Sequence, residues 1–138
     1  MTEKSIFAFI PQRPPISMVD EILYCDKQKT ITRFEITSDN IFVVQGKFLA
    51  CGLIENIAQS AAARIGYLNQ NQPVKLGVIG GVKNFEMIQT PSSGDVLTTE
   101  IYLQTEIENA IVVSAIIKCE ETMIAQAEMK VFTLNNAL

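Results

Sequence analysis

One segment of this chain repeats its apolar residues at helical spacing, and everything after it has the pattern of strands. Across residues 52–69, Ile54, Ile57, Ala58, Ala61, Ile65 and Leu68 recur at three- and four-residue intervals, and Ala62 and Ala63 widen the stripe. So broad an apolar face predicts one long, largely buried helix. The polar run Asn69-Gln70-Asn71-Gln72 and then Pro73 end it, because proline cannot continue the hydrogen-bond ladder. Residues 76–88, 96–107, 110–119 and 123–134 are strand-like, separated by turn-forming stretches at 91–95, 108–109 and 120–122. Upstream, residues 18–25 and 30–37 are rich in β-branched and aromatic side chains and form a strand pair about the polar stretch 26–29; a turn follows at Ser38-Asp39-Asn40. Three prolines make residues 11–15 a rigid loop. The order of elements is that of an α+β fold in which a curved, mainly antiparallel sheet wraps one central helix.

Composition narrows what such a fold can do. At 138 residues, with no internal repeat, low-complexity tract or linker, the chain is expected to form one domain over 1–138. Fifteen acidic against eleven basic residues give a net charge of -4, so no broad cationic surface exists for a nucleic-acid backbone. The chain has no histidine, which excludes Ser-His-Asp, Cys-His and histidine-based zinc chemistry within it; no metal and no cofactor are expected. Cys25, Cys51 and Cys119 form no C-x-x-C pair and are expected to be reduced, semi-buried thiols. The apolar stretch 6–10 is too short for a signal peptide, and 49–68, the longest candidate for a membrane span, carries Glu55, Asn56, Gln59 and Arg64. A cytoplasmic location is expected.

Few residues are equipped for chemistry. Glu55 falls in the first turn of the predicted helix, where burial and the helix N-terminus push a carboxyl in opposite directions; its bland role is to complement the helix dipole. Gln59, four residues on, shares its face and is able to bond Glu55 or a ligand, or simply to be satisfied inside the helix interface. Gln12 can donate and accept hydrogen bonds but cannot take up a proton near neutral pH, and its bland role is that of an ordinary loop residue. Cys51, without a base beside it, is expected to be a packed, inert thiol. Tyr24, Tyr67 and Tyr102 are expected to be packing residues. Gly77, Gly80 and Gly81 lie within a strand-like run and mark a bulge or a close backbone approach rather than a phosphate loop. Met18, Phe34, Phe42, Phe48, Phe85 and Met87 are able to line an acyl tunnel or to fill a core.

Two segments, IPQRPPISMVDEIL at 10–23 and FLACGLIENIAQSA at 48–61, together resemble the FabA/FabZ-like 3-hydroxyacyl-acyl-carrier-protein dehydratases of hot-dog fold. Residues 82–85, 93–95 and 124–132 are similar to further segments of that family, and Arg13-Pro14-Pro15 is closer to its aryl-polyene and pigment-cluster members. The resemblance implies dehydration of a (3R)-3-hydroxyacyl thioester carried on acyl-carrier protein or coenzyme A. It also implies a dimer whose sites each draw a histidine base from one subunit and a glutamate from the other. Carried over, Glu55 is the catalytic glutamate, Gly52 the glycine whose amide holds the thioester carbonyl, and Gln59 the helix glutamine. Gln12 stands where the family has its catalytic histidine, Cys51 replaces the proline before the glycine, and Ser93 replaces the proline before Gly94-Asp95.

These departures leave three expectations. The first is a base-deficient subunit, either a pseudo-enzyme or half of a composite site in a heterodimer with a histidine-bearing homologue. The second is an acyl thioesterase that uses Glu55. The third is a binding module for acyl groups or acyl carriers, as a homodimer or heterodimer.

Overall fold

The computed structural model describes residues 5–134; residues 1–4 and 135–138, the two ends of the expected 1–138 unit, lie outside the described residues. A short 3-10 turn at Ile6–Ala8 leads into the proline loop. Then come β1 (Glu21–Cys25), β2 (Lys29–Glu35), a small hairpin of β3 (Val43–Val44) and β4 (Lys47–Phe48), and the helix α1 (Ala50–Leu68). Four long strands follow: β5 (Leu76–Met87), β6 (Val96–Ile107), β7 (Ala110–Cys119) and β8 (Thr122–Leu134). Six strands form one antiparallel sheet in the order β1-β2-β6-β7-β8-β5, wrapped about α1 as expected of a hot-dog fold.

The core follows from the two periodicities. Alternate residues of β7, Ile111, Val113, Ala115 and Ile117, face inward with Leu97 and Ile101 of β6, and meet Leu53, Ile57 and Ala61 of the helix. Each of these Val, Leu and Ile side chains stabilises the fold by about 1.5–3 kcal/mol on transfer grounds, and the alanines contribute less. Of the residues considered as a tunnel lining, Met18, Phe34 and Phe48 are buried in this core and Phe42 and Phe85 pack against it, whereas Met87 is exposed. A second cluster, Ile6, Phe9, Ile10, Val19 and Ile22, closes over Ala62 and Ala63. Tyr67 packs its ring at 5.6 Å from that of Phe9.

Three boundaries depart from expectation. The first strand begins at Glu21 rather than Met18, because the peptide groups of Met18 are taken by helix side chains instead of a strand neighbour. The helix begins at Ala50 rather than Gly52, which moves Glu55 into the second turn; no acidic residue lies in the first turn, so Glu55 does not act as a first-turn complement to the dipole. The β3–β4 hairpin leaves no periodic signal in the sequence because its strands are only two residues long; its turn uses Gln45 and Gly46 at φ 51° and 76°. The glycine run does mark a bulge: pairing with β8 shifts between Ile79 and Gly81, and the Phe132 ring occupies the place a Gly80 side chain would need.

The sheet's two edges differ. Strand β1 is short, bulged between Ile22 and Tyr24, and bordered by the charged group Asp20, Glu21 and Arg33. Strand β5 is twelve residues long and exposes Leu76, Val78, Val82 and Met87. The first is a protected edge; the second has the character of one that pairs.

On the convex face, Glu100 accepts from Tyr102 Oη at 2.6 Å and pairs with Lys118 Nζ at 3.1 Å. The tyrosine hydrogen bond, and then the ammonium, hold this carboxyl below the usual glutamate range. A depressed carboxyl stabilises the fold above its unfolded value and loses that contribution as pH falls through its folded value. Glu100→Gln is therefore expected to lower stability modestly at pH 7, by roughly 0.5 kcal/mol. Chemical denaturation across pH should show the difference shrinking below about pH 4. A Gly66→Ala substitution tests the placement of the N-terminal segment. The backbone of Phe9 fills the space its Cβ would take, so an expected loss of about 1–3 kcal/mol should appear in thermal melts.

Candidate functional site

The helix leaves one stripe uncovered by its own sheet: Cys51 is exposed, and Ile54, Glu55, Ala58 and Ile65 are half-buried. Helical spacing puts Cys51, Glu55 and Ala58 on one face. Glu55 is the single charged group in this apolar stripe, and its Oε2 accepts from Gln59 Nε2 at 2.8 Å. Its other oxygen has no partner among the described residues. A carboxylate held by one oxygen and free at the other suits an acid–base role at a surface that a ligand or a second subunit covers.

Gln59 is not available to a substrate. It is 1% exposed, and besides Glu55 it accepts from the Met18 amide at 2.6 Å and donates to the Ile16 carbonyl at 3.0 Å. The side chain expected to bind substrate instead fastens the chain after the proline loop to the helix that carries Glu55. The expected contact between Gln59 and Glu55 is present.

Gly52 is likewise occupied. Its amide donates to the Leu49 carbonyl at 2.9 Å, and the ring of Phe48 stands where a side chain would project. The glycine is there for close packing. The amides without an intramolecular partner at this helix start, among the described residues, are those of Ala50 and Cys51. Cys51 itself is exposed rather than packed, because it lies on the helix face opposite its buried neighbours Gly52 and Leu53, while Cys25 and Cys119 are half-buried with thiols pushed up by burial.

Gln12 lies on the proline loop, half-buried, and its Oε1 is covered without a hydrogen-bond partner. An unmet acceptor of this kind costs free energy until a donor reaches it. The loop's near side is braced by Arg13, which donates to the carbonyls of Ile10 at 2.8 Å and Gln12 at 2.9 Å and stacks over Phe7. The signal for Arg13 in the sequence is its place in the Arg13-Pro14-Pro15 run, which by itself does not specify these contacts.

Among the described residues no group of histidine, cysteine or carboxylate side chains is arranged to hold a metal ion, and no helix is long and apolar enough to cross a membrane. Replacement of Gln59 by leucine is expected to cost about 1–3 kcal/mol, since it strands the Met18 amide and the Ile16 carbonyl. Gln59→Glu should be worse at neutral pH, with a second carboxylate set against Glu55, and should recover part of the loss in acid when a proton restores the donor. Equilibrium unfolding of both variants at two pH values distinguishes the effects.

Comparison with known proteins gives a consistent picture. The family model described as ApeP-like, ApeP dehydratase, matches residues 4–138. A 3-hydroxyacyl-[acyl-carrier-protein] dehydratase FabZ from Ruminiclostridium cellulolyticum is 30% identical over 106 residues, covering 72% of this chain and 74% of its own. Among solved structures, a chain of the dehydratase heterocomplex ApeI:P from Xenorhabdus doucetiae superposes with a TM-score of 0.91 at 16% identity, covering 98% of this chain and 94% of that one. The sigma28-regulated virulence protein Cj0977 from Campylobacter jejuni matches with a TM-score of 0.70 at 18% identity, over 91% of this chain and 82% of its own.

Proposed function

Because the chain belongs to the ApeP-like dehydratase family, we propose that it is a base-deficient hot-dog subunit of acyl-thioester metabolism that lends Glu55 to a composite site with a histidine-bearing homologue. The observation that carries this reading is Glu55 itself, a carboxylate with one free oxygen on the uncovered stripe of a helix, in a chain whose residue at the base position is Gln12. In the proposed reaction the partner's histidine takes the C2 proton of a (3R)-3-hydroxyacyl thioester. The electron pair of that C–H bond becomes the C2=C3 double bond as the C3–O bond breaks, and the 3-hydroxyl leaves as water with a proton donated by the Glu55 carboxyl. The proton taken up by the histidine replaces it through solvent before the next turnover. Amides at the helix start, those of Ala50 and Cys51, hold the thioester carbonyl as charge develops on it.

Two features support a partner. Strand β5 is a long unpaired edge that exposes Leu76, Val78, Val82 and Met87, and the structural neighbour from Xenorhabdus is itself a chain of a dehydratase heterocomplex. Pairing at β5 would extend the sheet and cover the stripe. The carrier in this reading is acyl-carrier protein, as in the name of the FabZ relative, and the setting is the cytoplasm.

An amide in place of the base forfeits about 10²- to 10⁴-fold in rate. The purified chain alone is therefore expected to dehydrate 3-hydroxyacyl carrier substrates barely or not at all at neutral pH. Addition of a histidine-bearing homologue should produce enoyl product by mass spectrometry, and Glu55→Gln in this chain should remove most of it. Gln12→His should confer measurable activity on the chain alone. Robust turnover by the chain alone that survives Glu55→Ala overturns the proposal, and release of free acid instead of enoyl product identifies a thioesterase.

A further inference from the structure

Donor and acceptor chemistry fixes the orientation of a line of buried polar groups running from the middle of the sheet to Glu55. Thr99 of β6 and Asn56 of the helix are both fully buried, and Thr99 Oγ1 lies 2.5 Å from Asn56 Oδ1. Asn56 Nδ2 donates to the Met18 carbonyl at 2.7 Å. A carbonyl only accepts, so the amide nitrogen must face Met18 and the amide oxygen must face Thr99, whose hydroxyl is then the donor. On the other side of the same residue, the Met18 amide only donates, so Gln59 must turn Oε1 toward it and Nε2 toward Ile16 and Glu55. Every member of the series has one permitted orientation. Inverting Gln59 would set its nitrogen against the Met18 amide and its oxygen against the Ile16 carbonyl and Glu55, and inverting Asn56 would set its oxygen against the Met18 carbonyl.

We infer that Thr99 and Asn56 are positioning residues that decide how Glu55 presents its free oxygen, acting through the Met18 peptide and Gln59. Neither reaches solvent, so neither touches a substrate. Both are placed so that the Met18 backbone is gripped at its carbonyl by one helix side chain and at its amide by another, one turn apart. The segment leading from the loop of Gln12 is thereby held in register with Glu55. A second buried hydroxyl pair, Ser60 of the helix and Thr32 of β2 at 2.7 Å, makes no bond to this segment and serves as an internal comparison. The inference rests on the reading of Glu55 as the working carboxylate, and its test has a part that does not.

The test uses the full chain with Thr99→Val, which keeps the shape and removes the donor, Thr99→Ser, which keeps the donor, and Thr32→Val as the comparison. Hydrogen exchange of the Met18 amide, followed by NMR, is expected to speed up about tenfold in Thr99→Val, the worth of one hydrogen bond. The Gln59 side-chain amide resonances should shift with it. Thr99→Ser should restore both, and Thr32→Val should leave both as in the parent chain. In the complex with a histidine-bearing homologue, Thr99→Val should lower kcat by about 10-fold or more with KM little changed, and Thr99→Ser should recover it. Should valine prevent folding, Thr99→Ala against Thr99→Ser poses the same comparison. Parental Met18 exchange and parental kcat in folded Thr99→Val, or failure of serine to restore them, overturns the inference. Absence of dehydration by the parent complex would instead count against the proposed function, while the Met18 exchange and Gln59 resonances still decide the relay.

Discussion

The segment from Ile16 to Met18 has no strand beside it, and buried peptide groups cannot be left unpaired. Gln59 resolves this: one side chain accepts from the Met18 amide and donates to the Ile16 carbonyl, and so substitutes for a missing strand. The rest of the site depends on that substitution. It anchors the chain after the proline loop against α1, and uses the same amide to hold one oxygen of Glu55. A residue that looks from its spacing like a ligand contact is the fastener between that segment and the helix.

The protomer is well packed where its sheet meets the helix and unfinished where it does not. Leu53, Ile57 and Ala61 are fully buried, yet Cys51, Ile54, Glu55 and Ala58 on the neighbouring stripe remain in part open, and the long β5 edge has unpaired backbone groups. Pairing with another strand is the physical remedy for such an edge, and apolar cover is the remedy for such a stripe. The short, charged and bulged β1 edge offers no comparable surface.

The chemistry of the chain is similarly partial. It has a carboxylate and free amides at a helix start but no histidine to accept a proton near neutral pH. Gln12 brings hydrogen-bonding capacity without basicity, and its Oε1 is covered without a partner among the described residues.

Much of the architecture was legible in the sequence, because it rests on local periodicity. The three- and four-residue repeat gave the helix to within two residues of each end, and strands β6 and β7 have the limits that their flanking turns predict. The motif around Glu55 and the missing histidine were equally visible, since they concern which residues are present. Tertiary structure alone decided what each of them does. The amide of Gly52 is taken by Leu49, Gln59 is buried and saturated, and Cys51 is exposed rather than packed, and none of these follows from spacing along the chain. Hydrogen-bond partners here come from segments some forty residues apart, such as Met18 with Gln59 and Asn56 with Thr99. Local pattern sets which face a side chain occupies; only the folding of the sheet about the helix determines what lies opposite that face.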